Sequence, residues 1–102
     1  TVNNGDVSSL TPVSTVDNLV WDAIGLDNQG GGVGDATVGA GQTERASLAD
    51  ADQRYKQSTE PGAAPTTTMS WTVSGLGVGV TNELVHIAVA INPPQATQVM
   101  FY

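Results

Sequence analysis

The chain of 102 residues has the length of one domain, spanning residues 1–102, and carries a formal net charge of −7 with only three basic residues. Phosphate neutralisation by Lys and Arg supplies most nucleic-acid affinity, so this balance argues against nucleic-acid partners and against anionic membrane surfaces. The sequence has no cysteine, which excludes disulfides and thiolate metal sites, and no apolar run of about 20 residues for membrane insertion.

The first strong element along the chain is a strand over residues 18–26. Residues 1–17 precede it and are polar, with only a weak strand signal at residues 13–16. In the strand, alternate residues fall on opposite faces, and Asp22 interrupts an otherwise apolar face. Both faces look largely covered, which predicts a central strand beside residues 84–91. The two faces are Val20, Ile24 and Leu26 on one side, and Leu19, Trp21 and Ala23 on the other.

The middle of the chain predicts a long loop and then either a hairpin or a helix. Residues 27–41 hold six of the twelve glycines and read as a loop of unusual length, which favours a functional or mobile segment. Residues 43–48 and 53–59 predict two exposed strands around a turn. A short helix over residues 45–55 is the competing interpretation, and the sequence leaves both open.

The strongest pattern in the chain is a period of two over residues 66–74. Met69, Trp71 and Val73 are apolar and every even position is Thr or Ser, which is typical of a strand with one buried face. Residues 84–91 are apolar at nearly every position and predict a strand covered on both sides, ended by Asn92, Pro93 and Pro94. Together these patterns predict an all-β fold, an antiparallel β-sandwich.

Four short stretches carry a resemblance to a known module. They are Gly-Ala-Gly-Gln-Thr at 39–43, Pro-Gly-Ala-Ala at 61–64, Thr-Met-Ser-Trp-Thr at 68–72 and Ala-Val-Ala-Ile-Asn-Pro at 88–93. With the strand before them, their order resembles the C-terminal half of jelly-roll β-sandwich modules in bacterial exported or surface proteins and some phage structural proteins. The resemblance covers about residues 17–94, implies a non-enzymatic surface or adhesive unit, and supplies no catalytic residue.

This family's modules are about twice as long as the chain. The resemblance therefore implies either a fragment or a sandwich completed by strands of neighbouring subunits, and residues 1–16 and 95–102 are the candidate intersubunit segments. The second of these ends in four consecutive large residues, where termini are normally polar and frayed. We expect those four to contact a neighbouring subunit: Val99, Met100, Phe101 and Tyr102.

His86, the aromatic residues and the basic residues are weighed against ordinary structural roles. His86 is the sole histidine, and no Gly-x-Ser-x-Gly motif accompanies it, so a hydrogen-bonded structural role is expected. Trp21 and Trp71 sit in apolar strand patterns that favour core packing, whereas Tyr55 is the better exposed candidate for stacking on a sugar ring. The basic residues read as surface charges, with acidic patches of a neighbour as the alternative: Arg45, Arg54 and Lys56.

The acidic and glycine-rich segments give weaker signals. Asp50 and Asp52 are the best local pair for calcium, but the spacing of an EF-hand loop is absent, so solvated turn residues are expected and no cofactor is required. The glycines at 30–32 lack the Gly-Lys-Ser/Thr ending of a phosphate-binding loop.

The function expected from the sequence is that of a non-enzymatic structural subunit in an extracellular or cell-surface fibre or other homopolymer. One alternative is a carbohydrate-binding or adhesive module that uses Tyr55 and the glycine-rich loop. Another is a decoration or fibre protein of a phage virion.

Overall fold

The protein folds as an antiparallel β-sandwich of two sheets. The structure is a computed structural model that describes residues 1–29, 31–77 and 81–93, and no helix occurs among them. This confirms the all-β fold class. The seven strands are β1 (Val7–Leu10), β2 (Leu19–Asp27), β3 (Asp35–Val38), β4 (Thr43–Asp50), β5 (Gln53–Pro61), β6 (Met69–Ser74) and β7 (Glu83–Ile91).

The sheets contain three and four strands. The smaller has the order β1-β6-β3 and the larger the order β4-β5-β2-β7, with every neighbouring pair antiparallel. Strand β2 lies between β5 and β7 over its whole length, so the predicted central position beside residues 84–91 is confirmed. The prediction that both faces of β2 are covered is wrong, because its odd-numbered residues are only partly buried. Residues 7–10, within the segment considered for intersubunit contact, belong to the chain's own smaller sheet.

The hairpin interpretation of residues 43–59 is confirmed and the helix over residues 45–55 is wrong. Strands β4 and β5 pair from Thr43 to Asp50 around a tight turn in which Ala51 has a φ of 50°. The helix fails because the apolar residues of this segment are too few to form a helical stripe, whereas the alternating residues of β5 bury Lys56 and Ser58.

Two short strands lie where the sequence predicts loop or polar chain. The segment 27–41 is not one long loop, because Asp35–Val38 forms β3 beside β6. The strand at residues 13–16 is reduced to one isolated bridge between Val13 and Thr66. Both β1 and β3 are only four residues long, which is too short for a period-two pattern to stand out.

The core lies between the sheets and is divided by polar side chains. Even-numbered residues of β2 and odd-numbered residues of β6 face each other, which confirms the alternation predicted for β6. At one end Val20 and Met69 are buried, and in the middle Asp22 is fully buried. The main apolar cluster lies on the other side of Asp22 and comprises Ile24, Leu26, Ala36, Trp71, Val73 and Leu76.

Strand β7 is not covered on both sides, which corrects the sequence prediction. It is the edge strand of the larger sheet, and its odd-numbered residues point away from the core into solvent. Val85 is 63% exposed and Ile87 55% exposed. The near-continuous apolar run arises because β7 has an apolar outer face as well as an inner face. The inner face comprises half-buried Leu84, Ala88 and Ala90 and the buried side chain of His86.

Replacement of Leu26 should measure the apolar part of the core. Leu26 is 2% exposed within the main cluster, so Leu26→Ala should cost about 2–5 kcal/mol of unfolding free energy. Leu48 on the outer face of β4 is 64% exposed, so the matched change Leu48→Ala should cost less than about 0.5 kcal/mol. Urea unfolding of dilute protein followed by tryptophan fluorescence measures both. Equal losses would contradict this placement of the core.

Candidate functional site

The carboxylate of Asp22 is the polar group of the interior that contacts the most strands. It lies at the middle of β2, is fully buried, and accepts three hydrogen bonds from three other strands. Its Oδ2 accepts from Trp71 Nε1 and contacts His86 Nε2, each at 2.7 Å, and its Oδ1 accepts from the Ser58 hydroxyl. These bonds offset the cost of removing a carboxylate from water, and they join both sheets through one side chain.

His86 extends this network across to β1. Its Nδ1 lies 2.9 Å from Ser8 Oγ while its Nε2 lies 2.7 Å from Asp22 Oδ2. When Nε2 carries the ring proton and donates it to the carboxylate, Nδ1 accepts a hydrogen bond from the Ser8 hydroxyl. The expectation of a hydrogen-bonded histidine is therefore met, and sequence reasoning had not anticipated that Ser8 and Asp22 are its partners.

Ser8, His86 and Asp22 are the residue types of a serine–histidine–aspartate catalytic triad, and they are hydrogen-bonded in that order. The His86 side chain, however, is 3% exposed and that of Asp22 is 0% exposed, so a substrate has no access to the ring. Ser8 lies within regular strand β1, not on a sharp turn that presents the hydroxyl beside two backbone N–H donors. A groove of about 270 Å³ touches Ser8 but is not lined by His86. This geometry suits a structural link better than acyl transfer.

The network continues toward the start of β4 through Gln42, and the carboxyl group of Glu60 lies near it without a hydrogen bond to it among the described residues. Gln42 donates to Ser58 Oγ at 2.8 Å and accepts from the Ser70 backbone N–H at 2.7 Å. Glu60 Oε2 is buried with no hydrogen-bond partner among the described residues. Burial, together with the negative charge of Asp22, raises the pKa of Glu60 above its ordinary value of 4.5.

A second polar group joins β3 to the β4–β5 hairpin. Lys56 Nζ donates to Ala36 O at 2.9 Å and lies 2.7 Å from Asp35 Oδ1 and 2.8 Å from Glu44 Oε1. Burial lowers the pKa of Lys56, but the hydrogen bonds and charges of Asp35 and Glu44 outweigh it and raise the pKa above 10.5. Burial raises the pKa of Asp35, yet Lys56, the Ala36 N–H and Arg54 lower it below 3.8.

Not all of the basic residues lie on the surface as the sequence predicts. Lys56 is buried, which corrects its interpretation as a surface charge, and Arg54 Nε donates to Gly34 O at 3.1 Å. Arg45 Nε donates to Thr59 Oγ1 at 2.8 Å on the exposed face. Asp50 and Asp52 lie at the β4–β5 turn, and the described residues contain no group of three or more His, Cys, Asp or Glu side chains suited to a metal ion.

The two tryptophans differ in environment. Trp71 is fully buried, as the core interpretation predicts. Trp21 is half-buried on the outer face of the larger sheet, where its Nε1 donates to Gln57 Oε1 at 3.3 Å. The predicted intersubunit residues Val99, Met100, Phe101 and Tyr102 lie outside the described residues.

The most unusual surface is the outer face of the larger sheet, which we call the apolar face. Large apolar side chains from all four of its strands point outward there. The charged residues on the outer side of these strands lie at the ends of this face, Asp27, Asp50 and Glu83 at one end and Arg45 at the other. The exposed apolar members are Leu19, Leu48, Tyr55, Val85, Ile87, Val89 and Ile91.

Small residues of β2 form a depression in the apolar face. Two adjoining grooves of about 240 and 480 Å³ share Gly25, Tyr55 and Val85. A Cβ atom added at Gly25 would approach Val85 Cγ1 to 3.0 Å, so a larger residue at this position would crowd the wall of the depression. The exposed Tyr55 predicted from sequence is 42% exposed and forms one wall.

The outer face of the smaller sheet is different in chemistry. Its outward positions are mainly hydroxyl residues and one carboxylate, so it is well solvated. They are Val7, Ser9, Asp35, Thr37, Ser70, Thr72 and Ser74. The apolar face is therefore the outer surface of the sandwich that has the character of an interaction site.

Comparison of the chain with protein-family models, with curated proteins and with solved structures found no match. A search of the described residues for a helix long and apolar enough to cross a membrane found none.

Glu60→Gln should stabilise the protein at neutral pH. The pKa of Glu60 is higher in the folded state than in the unfolded chain. The protonated Glu60 side chain therefore contributes fully to folding stability below pH 4.5, and this contribution is lost as the pH rises through the folded-state pKa. At neutral pH the half-buried Glu60 carboxyl therefore contributes less to folding stability than at acidic pH, and we expect the glutamine to raise Tm. Thermal unfolding of both proteins over a range of pH should show that the higher Tm of the variant disappears below pH 4.5.

Glu44→Gln is the matched control because Glu44 pairs with Lys56 at 2.8 Å. Removing this charge should lower Tm slightly at neutral pH, the opposite sign. A destabilising Glu60→Gln would show that the Glu60 carboxylate has partners beyond those of the described residues.

Proposed function

We propose that the protein is a non-enzymatic structural subunit that assembles with copies of itself into an extracellular or cell-surface homopolymer. The supporting observation is the apolar face, which leaves Val85 63% and Ile87 55% exposed on a regular strand. Exposed contiguous apolar surface of this kind marks sites of protein contact, whereas scattered single residues do not.

The hydrophobic effect gives the free-energy reason for association. Complete burial of one Val or Ile side chain contributes about 1.5–3 kcal/mol, and β7 alone offers Val85, Ile87, Val89 and Ile91. Each is already about half-buried, so the remaining gain per residue is a fraction of that value. The burial of several such residues together acts against the entropy cost of association.

Electrostatics favours a second copy on this face over a highly charged partner. The chain has a net charge of −7, and two copies repel each other wherever their acidic residues approach. The centre of the apolar face lacks charged side chains, so contact there brings few acidic groups together. Added salt should screen the remaining repulsion and strengthen assembly.

The interior polar network supports a structural role for the histidine. Asp22 and His86 are enclosed between the sheets, and their donors come from strands of both sheets. The resemblance to jelly-roll modules of exported and phage structural proteins agrees with a surface or virion location. Hydroxyl-rich strands and few charges fit the same proposal.

Ile87→Lys should weaken self-assembly. The lysine would place a charge in the apolar face opposite Ala23, where little packing within the subunit is lost. We expect at least a tenfold rise in the concentration needed for assembly, about 1.4 kcal/mol per contact. Sedimentation velocity across a concentration series measures it.

Thr72→Lys is the control for this experiment. Thr72 is exposed on the outer face of the smaller sheet, and the change in net charge is identical. Equal weakening by both variants would indicate a general charge effect and remove the apolar face from the proposal. Wild-type protein that stays monomeric at every concentration would contradict the function itself.

A second candidate, a carbohydrate-binding module, is favoured by the groove beside Tyr55. The smaller groove of about 240 Å³ places this ring near the polar side chains of Asp27, Gln53 and Glu83. Sugar sites combine an aromatic ring with a few polar groups in this manner. Its position at the end of the apolar face would leave the rest of that face unexplained.

Tyr55→Ala tests this candidate on a glycan array. If the groove binds sugar, the variant should lose about fivefold in affinity, since stacking on an aromatic ring is worth about 1 kcal/mol. Thr59→Ala, on the same strand but outside both grooves, serves as the control. No wild-type signal across the array would remove the candidate.

A further inference from the structure

We propose that β7 pairs edge to edge with β7 of a second copy, antiparallel and about a two-fold axis, so that the two larger sheets become one continuous sheet. The inference rests on the proposed assembly function and deepens it by naming the strand that makes the contact and its alignment. It is carried by the differences among the sheet edges of the described residues.

The described strands provide four sheet edges, formed by β1, β3, β4 and β7. Strands β1 and β3 have four residues each, so they offer few hydrogen bonds to a partner. Strand β4 has eight residues, but its register shifts between Glu44 and Ala46, and Glu44, Arg45 and Asp50 place charges along it. Bulges and charges are the features by which natural edge strands resist pairing.

Strand β7 has neither form of protection. It has nine residues, its register with β2 is unbroken from Glu83 to Ile91, and its sole charged residue is Glu83 at the beginning. Long, regular and apolar edges are templates for another strand because their outward N–H and C=O groups need partners. Among the described edges, β7 therefore fits strand addition best.

The position of Glu83 selects the antiparallel arrangement. If all nine residues overlap, Ile87 lies opposite Ile87 of the partner subunit, and Val85 lies opposite Val89 of the partner subunit. The two Glu83 residues then stand at opposite ends, about 27 Å apart along the strand at 3.4 Å per residue, well beyond the Debye length near physiological salt. A parallel arrangement would place these two carboxylates near one another.

The same arrangement keeps the apolar faces together. Residues directly opposite in antiparallel strands point to the same side of a sheet, so the exposed Val85, Ile87 and Val89 of both copies form one stripe. The half-buried inner residues Ala88 and Ala90, at the margin of the core, would be covered by the neighbouring subunit. An identical contact on both copies is the usual form of a two-fold interface.

Single cysteines test the alignment directly, because the natural chain contains none. In the proposed pair, Cβ atoms at position 87 of the two copies lie about 4.5–5.5 Å apart, close to the separation that a disulfide spans. Ile87→Cys should therefore form a disulfide-linked dimer under mild oxidation at least about tenfold faster than Leu48→Cys. Leu48 is the matched control since it is on the same face, at the opposite edge, and is more exposed.

Hydrogen exchange of the wild-type chain gives a second readout that needs no substitution. Backbone amides of β7 should exchange more slowly at assembling concentrations than in dilute solution, while those of β4 should not change. Faster cross-linking at position 48 would overturn the proposal, as would amides of β7 that are equally protected at all dilutions, because the edge would then be covered within one chain.

The result also separates this inference from the proposed function. Wild-type protein that never assembles contradicts both. Assembly that is weakened by Ile87→Lys, without cross-linking at position 87 and without added protection of β7, contradicts only the edge-to-edge pairing.

Discussion

The buried carboxylate of Asp22 is the constraint on which this sandwich depends. A charged group with no solvent exposure is costly unless donors surround it, and here the donors come from β5, β6 and β7. Asp22 lies directly opposite Ser58 in the register of β2 and β5. A shift of β2 by one residue would turn Asp22 outward and leave the Trp71 N–H without its acceptor. The polar contact therefore specifies register and sheet pairing together.

This arrangement explains why so much apolar surface lies outside. The middle of the inner face is occupied by Asp22, Ser58 and Gln42, so the main apolar cluster lies toward one end of the sandwich, with Val20 and Met69 buried at the other. The remaining large apolar residues of β7 are on the other face of the larger sheet. In a single subunit they gain only half-burial. An interior joined by hydrogen bonds and an exterior suited to contact are thus two consequences of the same strand pattern.

The sequence predicted the elements with strong alternation and missed those without it. Strand β6 alternates between apolar residues and hydroxyls, and both its extent and its buried face follow from that pattern. Asp22, which interrupts an apolar face, was the one available signal for the polar network. The contact between Ser8 and His86 could not be predicted, because β1 is only four residues long and Ser8 lies 78 positions from His86. Contacts of that separation depend on topology, which local patterns do not encode.

The error over β7 has the same origin and is informative about assembly. A run of apolar residues fits a strand that is covered on both faces. It fits equally an edge strand with one face on the core and an apolar outer face that binds another subunit. Strand β4, at the other edge, is shielded by charges and a bulge, so extension of the sheet is blocked there. In the proposed assembly a two-fold β7 contact would therefore close at two subunits, as such contacts do. Growth into a polymer would then require the apolar face, which the joined sheet doubles in area and presents on one side. In this scheme the β7 edge sets the alignment of two subunits in a dimer, and the apolar face stacks one dimer on another.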